Sequence, residues 1–385
     1  MSSGRIETTH VGSLPRPPEM RRLLLAANQG GAVDPAHLEK TGREAVEAIV
    51  RRQRETGIDI VSDGEMTKIS YATYILKRVS GLELADRGGA DFRTPDAAAF
   101  PDFTEARLKF GTGPTAQRRP VCAGPLAYVD ESEARREIEA FVAALAKAPG
   151  AQGFMNAASP GVLAVFIANE HYASEDAYVA ALADAMAREY QLIHEAGLTL
   201  QVDCPDLAMS RHRFYAGMSE EDFLRVVDRN VEALNHALAG IPAEKVRLHI
   251  CWGNYPGPHT YDYPVAKIFG ALAKARVGAF VFEAANPRHD HEWEDWATAR
   301  LRDDLVMIPG VIDSSTNFVE HPRLVAQRIR RYVDIFGAER VKAGVDCGFG
   351  TFALQQPYVF ETVAWAKLGS LVEGARIASE RVWPH

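Results

Sequence analysis

Apolar runs of four to seven residues alternate with longer amphipathic stretches along most of the chain, the pattern of parallel strands joined by helical crossovers. The runs are residues 8–13 (TTHVGS), 58–63 (IDIVSD), 153–159 (GFMNAAS), 200–203 (LQVD), 246–251 (VRLHIC), 279–283 (AFVFE), 310–313 (GVID) and 343–347 (AGVDC). Eight short strands that each end in a polar or reactive residue predict an α/β protein of the (β/α)8 TIM-barrel type. A further apolar stretch, residues 120–124 (PVCAG), follows a region rich in Gly, Pro, Asp and Arg without periodicity. That region predicts an insertion between the second and third strands, about residues 81–125, lying over the active-site face of a single catalytic domain that spans 1–385. Helical spacing is clearest in 131–148, 174–196, 219–239 and 320–336. Ser174 and Ser219, each followed by acidic residues, read as N-caps.

Composition narrows the class. Of 385 residues, 47% are hydrophobic and 24% charged, enough to bury a large core. A formal charge of -8 with no basic stripe argues against nucleic-acid binding. The chain has no apolar run long enough to span a bilayer, and MSSGRIETTH has no signal-peptide core, so a cytoplasmic protein without membrane contact is expected. Long barrel helices make a homodimer a reasonable expectation. Four cysteines in so long a chain are too few for a disulfide framework, so each needs its own explanation.

Side chains at the C-terminal ends of barrel strands converge on one face. His249 and Cys251 stand two apart on one strand, and period-two alternation turns both to the same side. Glu283 ends the sixth run and Cys347 the eighth. A lone cysteine at a strand end is commonly a small buried hydrophobe, and a single His-x-Cys pair is a weak motif. Four such residues at strand ends make a set suited to tetrahedral zinc. Two thiolates, a carboxylate and a neutral imidazole around Zn2+ sum to about -1. So electron-rich an ion is a weak Lewis acid that still stabilises a bound thiol as a nucleophilic thiolate, which fits sulfur alkylation better than hydrolysis. His10 and His259 read as hydrogen-bonded structural or pocket residues, and residues 288–292 (RHDHE) as a solvated turn or a lid over the substrate.

The stretches TTHVGSLPRP (8–17), VSDGEM (61–66), QVDCPDLA (201–208), LHICWGN (248–254), FVFEAANPR (280–288) and AGVDCGFGT (343–351) resemble, in the same order, the catalytic C-terminal barrel of cobalamin-independent methionine synthase. The resemblance covers nearly the whole chain. It implies zinc held by His249, Cys251, Glu283 and Cys347, and a pocket of Ser13, Glu65 and Asp203 around the homocysteine backbone. It thereby implies methyl transfer from a donor to a small thiol, with Glu65 and Asp203 in the catalytic pocket. The residue types suit that role: two carboxylates can hold an ammonium by charge-assisted hydrogen bonds, and Ser13 with nearby amides can take a carboxylate.

The chain also departs from the pattern. The family's full-length members carry a second, N-terminal half that is not part of this sequence. Cys204 and Asp206 replace the usual glutamate and alanine after Asp203. Near Asp313, Ser314 or Ser315 occupies the place of the family's proton-donating histidine, which counts against methyl-folate as the donor unless His321 or a loop histidine substitutes. Single-barrel relatives include the epoxyalkane:coenzyme M transferases, whose sulfonate substrate calls for Arg or Lys; Arg16 and Lys68 are placed to serve as that substrate-binding pair. A zinc-binding barrel that has lost its donor chemistry is the reading from another class.

Overall fold

The computed structural model describes residues 4–85, 94–109, 119–353, 355 and 357–383. Six strands form one parallel sheet: β1 (Ile60–Val61), β4 (Gln152–Ala158), β6 (Thr199–Asp203), β7 (Val246–His249), β8 (Ala279–Phe282) and β9 (Val306–Pro309), in that spatial order. Two further segments close the ring. Thr8 O accepts from Asp59 N and Ile60 N, Thr9 N donates to Ala343 O, and Lys342 N and Gly344 N donate to Met307 O and Pro309 O of β9. The result is an eight-membered barrel in the expected order.

The seventh strand is displaced from its expected place. Its ladder begins earlier, at Val306–Pro309, and of the expected 310–313 only Gly310 and Val311 still pair, Gly310 N donating to Phe282 O and Val311 N to Gly344 O. A proline argues against a central strand because it lacks a ladder donor. Here Pro309 ends the strand and contributes its carbonyl, which Gly344 N uses. The first segment pairs only around Thr8 and Thr9 before turning into the mouth at Gly12.

Alternation within the strands explains the two faces. Leu200, Val202, Leu248, Phe280 and Phe282 turn outward to the helices and are fully buried, each contributing about 1.5–3 kcal/mol by leaving water. Their neighbours turn inward. On β8 and β9 these are Ala279, Val281 and Ile308, which pack on Val11. On β6 and β7 they are Gln201, Asp203, Arg247 and His249, with Gln201 opposite Arg247 and Asp203 opposite His249. Arg247 bonds Gln201 Oε1, Thr9 Oγ1 and His10 O. One half of the barrel interior is therefore apolar filler and the other a polar column that rises to the strand ends.

The expected helices form as Ser132–Ala146, Glu175–Glu195, Glu220–Ala237 and Pro322–Phe336. Ser174 Oγ accepts from Ala177 N and Ser219 Oγ from Asp222 N, as N-caps should. Helices Pro35–Thr56 and Glu361–Val382 complete the outer layer. In the insertion, β2 (Leu82–Ala85) pairs antiparallel with β3 (Arg119–Cys122), which runs parallel to β5 (Ala168–Asn169). Residues 86–93 and 110–118 of the insertion lie outside the described residues. Its helices Pro95–Ala99 and Pro101–Lys109 contact the loop that follows β7: Asp96 accepts from Thr260 N and Oγ1, and the Arg107 guanidinium lies 4.2 Å from the Tyr255 ring centroid. Among the described residues no helix is long and apolar enough to cross a membrane.

Candidate functional site

The polar column ends at a cluster of soft donors. His249 Nδ1 donates to Asp203 Oδ1 at 3.1 Å, and Asp203 also accepts from Gln201 Nε2 at 2.9 Å and Asn156 Nδ2 at 3.0 Å. These bonds fix the imidazole and assign the Nδ1 proton. The other nitrogen, Nε2, is buried without a hydrogen-bond partner among the described residues. Cys251 follows two residues on, and its Sγ lies 3.8 Å from Cys347 Sγ. One ligand atom each from His249, Cys251 and Cys347 falls within 4.8 Å of the other two. The hydrogen bond to Cys251 and burial push the Cys347 thiol well above its ordinary range. Two thiolates cannot share so dry a place without a cation. An orphaned imidazole nitrogen beside two thiols therefore fits a metal ion of soft or borderline character.

Glu283 stands beside this group and not within it. Its Oε1 accepts from Trp252 N at 2.9 Å, and its Oε2 from Asn286 Nδ2 at 2.7 Å and Arg288 Nη2 at 2.8 Å. Asp346 ties down the loop that carries it, accepting from Ala284 N, Ala285 N and Asn286 N. Asn286, Arg288 and Asp346 escaped the sequence reading, although each lies within five residues of an expected ligand.

Further buried polar side chains lie next to the cluster. Glu65 is buried at a left-handed φ of 54°, and its Oε2 has no hydrogen-bond partner. Burial and the neighbouring Asp203 carboxylate raise its pKa to about 8. Ser13 is buried against Gly348, where a Cβ would overlap Ser13 Oγ. Gly12, at φ +140°, likewise leaves space for Asn156. Asp203 thus bonds His249, Ser13 adjoins Gly348 next to Cys347, and Glu65 feels the Asp203 charge. Arg16 is not available to a substrate as expected: its guanidinium bonds the backbone carbonyls of Glu65, Gly350 and Lys68. The Lys68 ammonium donates to Asn156 O and lies over the Tyr74 ring.

Other expectations resolve individually. Ser314 Oγ donates to Asn254 Oδ1, whose own Nδ2 holds Gly348 O, while Ser315 turns back to Asp313. His321 is the N-cap of its helix, accepting from Arg323 N, and does not enter the pocket. His10 is structural as expected, between Gln53 and Gly12 N. Residues 288–292 are not a solvated turn. His289 and Glu292 are buried, and the imidazole bridges Glu292 Oε2 at 3.0 Å and Asp262 Oδ2 at 3.1 Å. Burial opposes its charge, yet the two carboxylates lift its pKa to about 10. Asp206 accepts from Ser159 Oγ and Asn230 Nδ2, a helix-anchoring role away from the donors.

The geometry defines a TIM-type barrel with a His/Cys group able to hold a metal at its C-terminal mouth. Residues 6–90 match the family model described as the catalytic domain of cobalamin-independent synthase. The methionine synthase of Thermococcus kodakarensis is 25% identical over 377 residues, 97% of this chain and 93% of that protein. That of Saccharolobus solfataricus is 24% identical over 382 residues, 98% of this chain and 96% of that protein. In fold, the B12-independent methionine synthase from a Shewanella species, solved with selenomethionine, superposes with a TM-score of 0.71 at 20% identity, covering 98% of both chains. A putative B12-independent methionine synthase from Listeria monocytogenes gives 0.65 at 21% identity, covering 97% of this chain and 98% of that one. The chain is thus similar to the catalytic domain of cobalamin-independent synthase over residues 6–90 and to methionine synthases over nearly its whole length.

Proposed function

We propose that the chain is a zinc-dependent methyltransferase acting on the sulfur of homocysteine, as a single barrel domain. The observation that carries this reading is the unpartnered His249 Nε2 between two buried thiols, next to the unpartnered Glu65 carboxylate. His249, Cys251 and Cys347 would hold the ion, with Glu283 as a fourth ligand that exchanges its bonds to Asn286 and Arg288. Zinc bound there supplies a lowered pKa to a thiol ligand at neutral pH without destroying its nucleophilicity.

The chain's own residues do the rest. Asp203 keeps His249 in the tautomer that leaves Nε2 free. Glu65 and Asp203 together receive the substrate ammonium, whose charge relieves their mutual repulsion. Ser13, beside Gly348, receives the carboxylate. The substrate sulfur then forms its bond to the methyl carbon as the donor's bond to that carbon breaks. Addition of coenzyme M to an epoxide is the weaker reading, because backbone carbonyls already hold the Arg16 guanidinium at three nitrogens and the Lys68 ammonium at one contact.

The test is zinc content followed by X-ray absorption with homocysteine. About one zinc per chain should be bound through sulfur and nitrogen, lost in Cys347→Ser. The zinc edge should change at saturating homocysteine. A wild-type protein without sulfur-ligated zinc sinks the metal assignment, and an unchanged edge removes homocysteine as the substrate.

A further inference from the structure

A second group of metal-ligating side chains lies behind the first. His212 belongs to the short helix Ser210–Arg213 that follows β6, and His259 and Asp262 to the loop that follows β7. One ligand atom from each lies within 4.8 Å of the other two. Asp262 Oδ1 is 3.4 Å from His212 Nδ1, and both Asp262 oxygens are 3.0 Å from His259 Nδ1.

The hydrogen bonding of these groups does not close by itself. His259 Nε2 faces the carbonyl of Tyr255 at 3.2 Å. A carbonyl only accepts, so the ring proton belongs on Nε2. The lone pair of Nδ1 then points at two carboxylate oxygens, acceptor against acceptor. His212 is only 3% exposed, and neither of its ring nitrogens has a hydrogen-bond partner among the described residues. His289 does not cancel the charge, because its imidazolium is shared between Asp262 and Glu292. A proton added to His259 would settle its contact with Asp262 yet leave His212 orphaned. A metal ion settles both.

We propose that His212, His259 and Asp262 form a second divalent-metal site, for zinc or another imidazole-preferring ion. Bonds of about 2.0–2.2 Å in a tetrahedral set put neighbouring donor atoms roughly 3.3–3.5 Å apart, close to the contacts of 3.0 and 3.4 Å found around Asp262. His289 supports the carboxylate from outside the set, the usual partner of a metal-bound oxygen. Two nitrogens and an oxygen make this the harder of the two sites. Three protein ligands leave a fourth position for water or another oxygen ligand. The two sites share a wall: Gly253 N donates to Cys251 Sγ, and a Cβ on Gly253 would meet His259 Cε1 at 3.7 Å.

Cobalt(II) titration of the whole chain separates the sites, because only thiolate ligation gives an intense sulfur-to-cobalt charge-transfer band. Wild type should bind about two ions per chain. His212→Gln and Asp262→Asn should bind one and keep the band, whereas Cys251→Ser/Cys347→Ser should bind one without it. Wild type that binds a single ion, with the band and with the same stoichiometry in His212→Gln, overturns the second site. A single ion without the band, lost in His212→Gln, upholds the second site and overturns the first. Wild-type stoichiometry together with the band distinguishes one site from two even if one variant fails to fold.

Discussion

Two buried clusters of carboxylates differ in a way that separates architecture from chemistry. Arg78, packed between the helices Ser132–Ala146 and Glu175–Glu195, reaches Glu133, Glu137 and Glu189 at 3.0, 2.8 and 3.2 Å. Glu137 Oε1 accepts from Thr67 and Glu189 Oε1 from Tyr74, while Tyr128 shares Glu189 Oε2 with Arg78. Each acceptor has a donor, and the cation is inside. At the barrel mouth, Glu65 Oε2 has no hydrogen-bond partner among the described residues, and Arg16 Nη2, 4.0 Å away, is already bonded to Lys68 O. The first cluster is complete within the chain. The second is one cation short, which is what a site for an ammonium group requires.

That contrast breaks most visibly at Arg78. Replacing it by methionine strands three carboxylates, two of them buried, and should cost about 3–5 kcal/mol of stability. Urea unfolding would read this as a lower midpoint, with zinc content of the folded protein unchanged. Glu65→Gln should do the reverse. Replacing a buried carboxyl that burial and Asp203 already hold protonated at neutral pH should leave the unfolding midpoint level or higher. Methionine affinity should fall about 10–100-fold, the worth of a charge-assisted hydrogen bond. If Glu65→Gln unfolds early and still binds methionine, the two clusters have been assigned the wrong way round.

Their legibility in the sequence differs for the same reason. His249, Cys251 and Asp203 could be placed because period-two alternation along a strand is local, and barrel strands deliver their ends to one face. The Arg78 cluster offered no such signal: its partners lie 55, 59 and 111 positions away. Strand seven was misplaced because 306–309 and 310–313 are both short apolar runs, and Pro309 disfavoured the true one. Residues 288–292 looked like a solvated turn because five polar residues in a row carry no sign of burial, which here comes from contacts with the loop holding Asp262 and Val265. Glu65 was legible as a pocket residue only through family resemblance. Its missing partner is a tertiary fact.

The smallest predicted effect is a protonation change that follows the same missing cation. Burial and Asp203, with a smaller push from Asp63, outweigh Lys68 and Arg16 and raise Glu65 to about 8. A carboxyl whose folded pKa is raised contributes stability below its unfolded value of about 4.3, and that contribution is lost as pH climbs through about 8. An ammonium placed between Glu65 and Asp203 favours the ionised form, so ligand binding below that pH must expel the Glu65 proton. Methionine is the suitable probe because its thioether sulfur carries no proton to confuse the count. Its affinity should rise with pH from about 6 to about 8, by less than tenfold per unit, since at most one proton is released. Calorimetry in two buffers of different ionisation enthalpy measures that release directly. Glu65→Gln should abolish it, and equal proton release in wild type and variant would mean that the ammonium is held elsewhere.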